Sequence, residues 1–293
     1  MKRILLICCL AWLTAFTSEA AQYTKEDSTR VMELLEAGRQ GVRESGRQGV
    51  QGVQGVQEWM VFFARELRGV PYVGKTLEPN AEETLIVNLR ELDCTTYVES
   101  VLALTLCMKN NKKTFSDYCH YLQLIRYEQG KVDYPTRLHY FTQWIEDNTR
   151  KGFVEEHQQP APPFSAIQQL DINFMTTHTT LYPMFNGHPE WVKTIEEKER
   201  EMTGRQYRYI PKGDIRNNSL FRKSIHDGDI IAITTSKKGL DTSHVGIAVW
   251  HKDGLHLLNA SQVRKEVVEE PMTLYQYMQK HPSQTGIRVI HVK

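Results

Sequence analysis

A cysteine and a histidine 150 positions apart, at 94 and 244, constrain this chain more than any other feature. Cys94 lies where a loop is predicted to pass into a helix, and His244 lies at the start of an apolar strand. A thiol acts as a nucleophile in its thiolate form, which a helix N-terminus and a nearby imidazole both favour. Only a fold that brings this helix to this strand lets the two side chains work together. The pair therefore predicts a cysteine hydrolase.

The predicted elements change type along the chain. Helical patterns dominate residues 58–150, including an apolar helix that starts at Cys94 and is expected to be buried on several sides. Four apolar runs of strand length follow at 230–233, 244–250, 255–259 and 287–292. Short consecutive strands joined by tight turns form an antiparallel sheet. We therefore expect an α+β fold in which the helix bearing Cys94 packs on an antiparallel sheet, with extra helices around it.

The chain is predicted to have three parts. A basic start, an apolar run too short to span a bilayer and small residues near position 20 predict a signal peptide at 1–20, with an uncleaved membrane anchor as the alternative. Residues 21–57 are expected to form an N-terminal helix and, from Gly38, a glycine-rich linker with few buried contacts, because repeated glycines destabilise helices. The third part, 58–293, is expected to be one domain.

Cysteine usage singles out one thiol in the exported part. Three cysteines remain after the signal peptide, and an odd number leaves at least one unpaired. Cys107 falls within the apolar helix pattern, where a cysteine usually behaves as a small hydrophobic residue. A disulfide between Cys107 and Cys119 is the less favoured alternative. Cys94 is the cysteine whose context suggests chemistry.

Composition excludes several classes of protein. The formal net charge is +1, without the basic excess that nucleic-acid binding needs. Histidine and cysteine spacings give no zinc pattern, and the glycine fingerprints of phosphate and dinucleotide sites are absent. We expect no metal, no cofactor, no nucleic-acid partner, no stable membrane insertion and a monomeric protein.

A catalytic histidine needs a third polar group to orient its ring. The strand that follows His244 along the chain carries His256, Asn259 and Ser261. Side chains alternate between the two faces of a strand, so His256 and Asn259 point in opposite directions. A residue near the end of this strand can lie beside His244, and both candidates remain open on this reasoning.

Five short motifs occur in the order found in the NlpC-like cell-wall cysteine peptidases, a papain-like superfamily. They are Pro-Tyr-Val at 71–73, Asp-Cys-Thr at 93–95, Asp-Gly-Asp-Ile at 227–230, Ser-His-Val-Gly-Ile at 243–247 and Leu-Asn-Ala-Ser at 258–261. The segments 137–145 and 171–175 further resemble the N-acetylmuramoyl-L-alanine amidase-like branch of this superfamily, which occurs in bacteria. The resemblance covers residues 69–261 in patches.

The resemblance implies a papain-like core and a role for each matching residue. Cys94 would be the nucleophile, His244 the base and Asn259 the group that orients it, with His256 as the rival. Tyr72 matches a tyrosine that contacts the region of the reacting carbonyl. The superfamily's usual Cys-Ser-Gly is Cys-Thr-Thr at 94–96, and Gly-Lys at 74–75 replaces its tryptophan-glycine pair. Both departures put the fine specificity in doubt.

Four further residues are candidates for contacts with the substrate. Asp93, Thr95 and Ser243 flank the predicted catalytic residues, although Asp93 could equally cap the helix of Cys94. Arg137, together with His139 and His178, could bind a sugar or a carboxylate, or could serve as a structural hydrogen-bonding residue.

The resemblance implies a hydrolase that acts on murein fragments in the periplasm or outside the cell. The expected reaction is cleavage of the amide between N-acetylmuramic acid and L-alanine. One alternative is a γ-D-glutamyl–diamino acid endopeptidase with the same machinery. The other, from a different class, is a catalytically inactive muropeptide-binding protein.

Overall fold

The computed structural model describes residues 21–45 and 55–293. The predicted signal peptide at 1–20 and residues 46–54 of the glycine-rich segment lie outside this description. The α-helices of the described residues are α1 (Lys25–Ser45), α2 (Val56–Glu66), α3 (Cys94–Lys109), α4 (Phe115–Arg126), α5 (Phe141–Arg150), α6 (Phe174–Thr177), α7 (Met184–Gly187), α8 (Pro189–Met202), α9 (Ser219–Ser224) and α10 (Leu274–Gln279). Short 3-10 helices occupy Glu128–Gly130, Tyr134–Thr136, Thr179–Leu181 and Lys212–Asp214.

Eight strands form one antiparallel sheet in the described residues. They are β1 (Val154–Glu156), β2 (Ala166–Gln169), β3 (Gln206–Pro211), β4 (Ile230–Thr235), β5 (Thr242–Trp250), β6 (Leu255–Ser261), β7 (Glu266–Glu269) and β8 (Gln284–Val292). Their order across the sheet is β2-β3-β8-β4-β5-β6-β7, and β1 also pairs with β8. The four expected strands are β4, β5, β6 and β8, so the expected α+β fold with an antiparallel sheet is confirmed.

Helix α3 is the central helix of the fold. Asp93 caps its N-terminus by accepting a hydrogen bond from the backbone N–H of Thr96, and the Thr96 hydroxyl lies 2.9 Å from the backbone N–H of Asp93, which completes a capping box. Every residue from Thr96 to Cys107 is buried, because α3 lies between the sheet and the helices α1, α2 and α4. The start of α3 is therefore fixed both by its cap and by the core.

The sheet is buried on both faces at its centre. Ile230 and Ala232 of β4 pack in the core around α3, while Ile231 and Ile233 pack on the opposite face against a second core that includes α9 and α10. Alternate residues of one strand thus serve two cores, as the period of a strand requires. No helix among the described residues is long and apolar enough to cross a membrane.

Helix α1 differs from the expectation for residues 38–57. It continues through Gly38 to Ser45, where a linker was expected to begin, and Gly38 itself is buried. A Cβ atom at Gly38 would lie 2.9 Å from Cζ of Phe63, so the glycine lets α1 approach α2 closely. Val31 and Leu34 join Phe63 in the same core. This packing offsets the cost of glycine in a helix, and it ties α1 to the fold that was expected to begin at residue 58.

Candidate active site

Cys94 is the first residue of α3 and lies against strand β5. Hydrogen-bonding contacts with the backbone of Val245 and with Thr95 act on its thiol and lower its pKa, against the larger effect of burial. Because Val245 directly follows His244 in β5, the fold brings together the two residues that the sequence separates by 150 positions. Cys94, Cys107 and Cys119 are all free thiols, and the alternative of a disulfide between the last two is not formed.

Asn259 is the polar residue that the structure brings to His244. The β5–β6 register pairs Ile247 with Leu258, which places Asn259 two positions from His244 on the same face. Nε2 of His244 donates to Oδ1 of Asn259 at 2.8 Å, and Asn259 is fully buried. Nδ1 is left as the nitrogen that can take a proton from the thiol of Cys94.

His256, the rival candidate, lies elsewhere. It pairs across the sheet with Val249, on the opposite face of β6 from Asn259. Its Nδ1 donates to the backbone oxygen of Glu270 at 2.8 Å, and its Nε2 lies 3.0 Å from a carboxylate oxygen of Asp253. His256 therefore belongs to a separate group of side chains beside the 251–254 turn.

Burial sets the protonation of the Cys94–His244 pair. It raises the pKa of the Cys94 thiol to about 12, and the Asp93 carboxylate adds to this rise, against the hydrogen-bonding contacts of the thiol. Burial also lowers the pKa of His244, although the hydrogen bond to Asn259 opposes the change. Both shifts favour a neutral thiol beside a neutral imidazole. Desolvation thus acts against the thiolate that a helix N-terminus would favour.

Tyr72 lies beside the start of α3. The backbone of its loop is held by a hydrogen bond from its N–H to the oxygen of Lys265 and by a bridge to Leu92. Burial, Cys94 and Asp93 together raise the pKa of the Tyr72 phenol to about 12, which places its ring near both residues. The phenol stays protonated at neutral pH and can donate a hydrogen bond.

Three of the other predicted contact residues lie at the site: two line the cleft and one caps helix α3. Thr95 and Ser243 line the same cleft as Cys94 and His244. Asp93 uses its carboxylate to accept from the N–H and hydroxyl of Thr96, at 2.8 and 2.9 Å. Of the two interpretations of Asp93, the helix cap is therefore the one that the geometry forms.

Arg137 does not line this cleft. Its guanidinium is buried and forms ion pairs with Glu78 at 3.0 Å and Glu83 at 3.5 Å. It also lies 4.6 Å above the ring of Tyr134. The charge and the flat face of the guanidinium are therefore both engaged by other residues of the protein. The predicted substrate contact of Arg137 thus has no exposed surface here, and the structural alternative is the one that the geometry favours.

The cleft around Cys94 has a volume of about 200 Å³. This is smaller than a pocket that encloses a whole drug-sized ligand, so it suits the few atoms around a scissile bond. Its walls come from the segments 138–141 and 240–245 together with Met175 and Tyr182. Met175 belongs to the segment 171–175, which resembles the amidase-like branch. Leu240 and Tyr182 were not identified from the sequence, and they reach Cys94 only through the tertiary fold.

Hydrogen bonds hold both walls of the cleft rigid. On one side, the hydroxyl of Tyr140 donates to Glu199 at 2.6 Å and accepts from the backbone N–H of Met175 at 3.0 Å. On the other, the carboxylate of Asp241 accepts from the backbone N–H of Thr142 at 2.6 Å and of Thr242 at 2.7 Å. Both carboxylates are buried and are engaged in holding the backbone.

A further ring lies next to the histidine. Tyr277 of α10 has its centroid 6.4 Å from that of His244 and is nearly buried. Burial raises its pKa to about 12, and Glu270 and Cys94 contribute to the rise. No sequence pattern connects α10 with the site.

A cysteine at a helix start beside a histidine–asparagine pair on an antiparallel sheet defines a protein of papain-like α+β architecture. The chain belongs to the AmiA-like family, described as N-acetylmuramoyl-L-alanine amidase-like, whose model matches residues 62–287. The resemblance inferred from the five motifs is thereby confirmed. A comparison with curated proteins found no match.

Among the solved structures similar to this chain are proteins from three bacteria. An N-acetylmuramoyl-L-alanine amidase from Bacteroides uniformis is 37% identical with a TM-score of 0.75, over 81% of this chain and 99% of that one. A protein from Bacteroides fragilis described as a putative xylanase is 38% identical with a TM-score of 0.73, over 78% and 99%. A Legionella pneumophila protein, 19% identical with a TM-score of 0.69 over 91% and 94%, shares the fold.

Proposed function

We propose that this protein is an exported cysteine amidase that hydrolyses the bond between N-acetylmuramic acid and L-alanine in murein fragments. The observation that carries the proposal is the arrangement of Cys94 at the start of α3 beside His244, whose ring is oriented by Asn259. Membership of an amidase-like family supports a cell-wall amide as the bond that is cleaved.

The reaction begins from the neutral pair. Nδ1 of His244 takes the proton of the Cys94 thiol as the sulfur attacks the amide carbonyl, so the thiolate exists only as the new C–S bond forms. Nε2 of His244 keeps its own proton throughout and donates it in a hydrogen bond to Oδ1 of Asn259. Asn259 stabilises the imidazolium by accepting this hydrogen bond, which strengthens when the donor is charged.

The oxyanion of the tetrahedral intermediate needs hydrogen-bond donors near the start of α3. The Asp93 cap uses the N–H of Thr96, and Thr95 interacts with the thiol of Cys94. The N–H of Cys94 remains available, and the protonated phenol of Tyr72 is a second donor on the same side. We assign these two groups to the oxyanion.

The imidazolium of His244 then gives its proton to the leaving nitrogen of L-alanine, and the C–N bond breaks. The muramyl lactyl group is left as a thioester on Cys94. Water, activated by the neutral His244, hydrolyses this thioester and regenerates the thiol. The full cycle consumes one water molecule and returns Cys94 to the thiol. The nucleophile, the acid and the base are all groups of this chain.

The name of the Bacteroides fragilis protein raises the question of glycoside hydrolysis. That reaction typically uses two carboxyl groups on either side of the glycosidic bond, about 5 to 9.5 Å apart. Among the described residues that line the cleft, Asp241 is the single carboxylate, and backbone N–H groups occupy both of its oxygens. The cleft of Cys94 therefore supports amide hydrolysis and not a xylanase reaction.

The test is to incubate the purified protein with muramyl peptides of defined sequence and to identify the products by mass. The proposal predicts an intact peptide with a free L-alanine N-terminus and a free sugar acid. Cleavage after D-glutamate, with the sugar still on L-alanine, would assign the endopeptidase activity instead. Unchanged substrate with measurable binding would leave only the muropeptide-binding alternative.

A further inference from the structure

Three side chains with metal-binding atoms meet at the far end of strand β4 from His244. His226 and Asp229 lie in the turn before β4, and His291 lies near the end of β8. One ligand atom from each of the three lies within 4.8 Å of those of the others. His244 pairs with Ile233, four residues beyond Asp229, so this group lies about 13 Å along the sheet from the catalytic histidine.

Asp229 is the centre of this group. It is completely buried, and its Oδ1 lies 2.9 Å from Nδ1 of His291. Its Oδ2 accepts from the backbone N–H of His226 at 2.7 Å and lies 3.7 Å from Nδ1 of that ring. The two imidazoles, with centroids 5.5 Å apart and a 47° tilt, therefore flank one buried carboxylate.

A buried carboxylate needs a positive partner. In the part of the chain that the structure describes, the ion pairs of Asp229 are with two histidines, His226 and His291, and the hydrogen bond to Asp229 raises the pKa of His291. A divalent cation bound between the three groups would take the place of the ring proton as the positive partner of this carboxylate. Asp229 thus has the environment of a ligand as well as the geometry of one.

Two imidazoles and one carboxylate form a donor set that suits Zn²⁺ and its transition-metal neighbours. A tetrahedral ion with bonds near 2.0 Å separates its ligands by roughly 3.3 Å. Nδ1 of His291 lies 2.9 Å from Oδ1 of Asp229 and Nδ1 of His226 lies 3.7 Å from Oδ2, one on either side of this value. His226 is more than half exposed, so its ring can turn toward an incoming ion and leave a fourth position for water.

We propose that His226, Asp229 and His291 bind one divalent transition-metal ion, with Zn²⁺ as the best match. The ion fastens the turn that precedes β4 to the last strand, β8. The site is separate from the proposed amidase chemistry, and its test does not depend on that activity.

A second cluster, His251, Asp253 and His256, has the same residue types but a poorer geometry. Its two rings stack in near-parallel planes at 4.1 Å, so their lone pairs do not converge on one point. His251 already lies 2.7 Å from a carboxylate oxygen of Glu269, which also pairs with Arg65. A His251→Ala variant is therefore the matched control.

The experiment is a titration of metal-free protein, without a polyhistidine tag, with Zn²⁺ by calorimetry. Cys94→Ala is the background, because the Cys94 thiol and His244 could hold zinc themselves. We expect one Zn²⁺ per chain and a higher thermal midpoint with the metal. Either His226→Ala or His291→Ala should weaken binding by more than about tenfold, while His251→Ala should not change it.

Two results would overturn the site. One is the absence of saturable binding in the Cys94→Ala protein. The other is binding that survives replacement of both His226 and His291, or that disappears in His251→Ala. Because His226 is exposed, its alanine variant removes a ligand without disturbing the core, which keeps the titration interpretable.

Discussion

Nε2 of His244 and Oδ1 of Asn259 lie 2.8 Å apart, and this contact sets the tautomer of the ring. Because the amide oxygen only accepts hydrogen bonds, Nε2 carries a proton and Nδ1 of the neutral ring carries the lone pair. The nitrogen that can act as a base is thus the one that Asn259 does not occupy. The proposed mechanism depends on this assignment.

The first prediction separates Asn259 from His256. Asn259→Ala should lower kcat by roughly 10- to 100-fold with little change in KM, because the ring loses its orientation while the cleft keeps its walls. His256→Ala should leave kcat within about twofold. Steady-state kinetics on a muramyl peptide measure both variants, and a larger loss in His256→Ala would contradict the assignment.

The second prediction concerns pH. The lowered pKa of His244 keeps its ring neutral to below pH 6.5, so kcat/KM should fall on the acid side with an apparent pKa below that value. The pKa of Cys94, near 12, means that its alkylation by iodoacetamide should keep rising through pH 9 without a plateau.

The matched protein for this alkylation lacks residues 1–20, which contain Cys8 and Cys9, and carries Cys107→Ser and Cys119→Ser, so that a single thiol reacts. An alkylation rate that is already constant between pH 5 and 8 would indicate a preformed thiolate–imidazolium pair. That result would contradict the neutral resting state.

The third prediction concerns the contact between α1 and α2. Gly38→Ala should lower the free energy of unfolding by about 1 kcal/mol, because overpacking against Phe63 exceeds the gain in helix propensity. Gly213→Ala is the control, since a Cβ there meets nothing within 4 Å and its φ is not positive. Denaturant unfolding measures both, and an equal or higher stability of Gly38→Ala would contradict the close packing.

The fourth prediction concerns acid stability. Glu269 accepts two hydrogen bonds from Arg65, and this contact lowers the pKa of the carboxylate to about 2 from an ordinary value of 4.5. A depressed carboxylate stabilises the folded state above pH 4.5, and this stability is lost as the pH falls toward 2. Arg65 is partly exposed, so we expect a contribution of about 1 kcal/mol.

Arg65→Met should therefore unfold at a higher pH in an acid titration followed by circular dichroism. Arg68→Met, which removes a weaker partner 3.9 Å from the same carboxylate, is the control. Identical acid midpoints for Arg65→Met and the unmodified protein would show that the Arg65–Glu269 pair does not contribute to acid stability.

The sequence predicted two residues that the fold brings to the same cleft, Cys94 and His244. Cys94 after a capping residue and His244 at a strand start are recognisable because each depends on its own element. The choice of Asn259 over His256 needed the strand register, which the alternation of side chains alone left open. Register is a tertiary property, set by packing on both faces of the sheet.

The wall residues Tyr182 and Leu240 and the structural use of Arg137 could not be predicted from the sequence. Arg137 has a charge suited to a carboxylate ligand, but Glu78 and Glu83 come from a loop whose path the sequence does not reveal. The prediction of a linker from Gly38 onward differs from the structure for a similar reason. Helix propensity predicted a linker at Gly38, whereas tertiary packing against Phe63 retains the helix.

The most direct test of the account is the turnover of a muramyl peptide by Cys94→Ser, compared with Cys107→Ser and with the unmodified protein. Serine keeps the shape of cysteine but loses the readily ionised sulfur, so the account predicts a loss of at least about a thousandfold in kcat. Cys107→Ser should retain most activity, and circular dichroism should show all three proteins folded. Turnover by folded Cys94→Ser at a rate near that of the unmodified protein would contradict a nucleophilic role for Cys94.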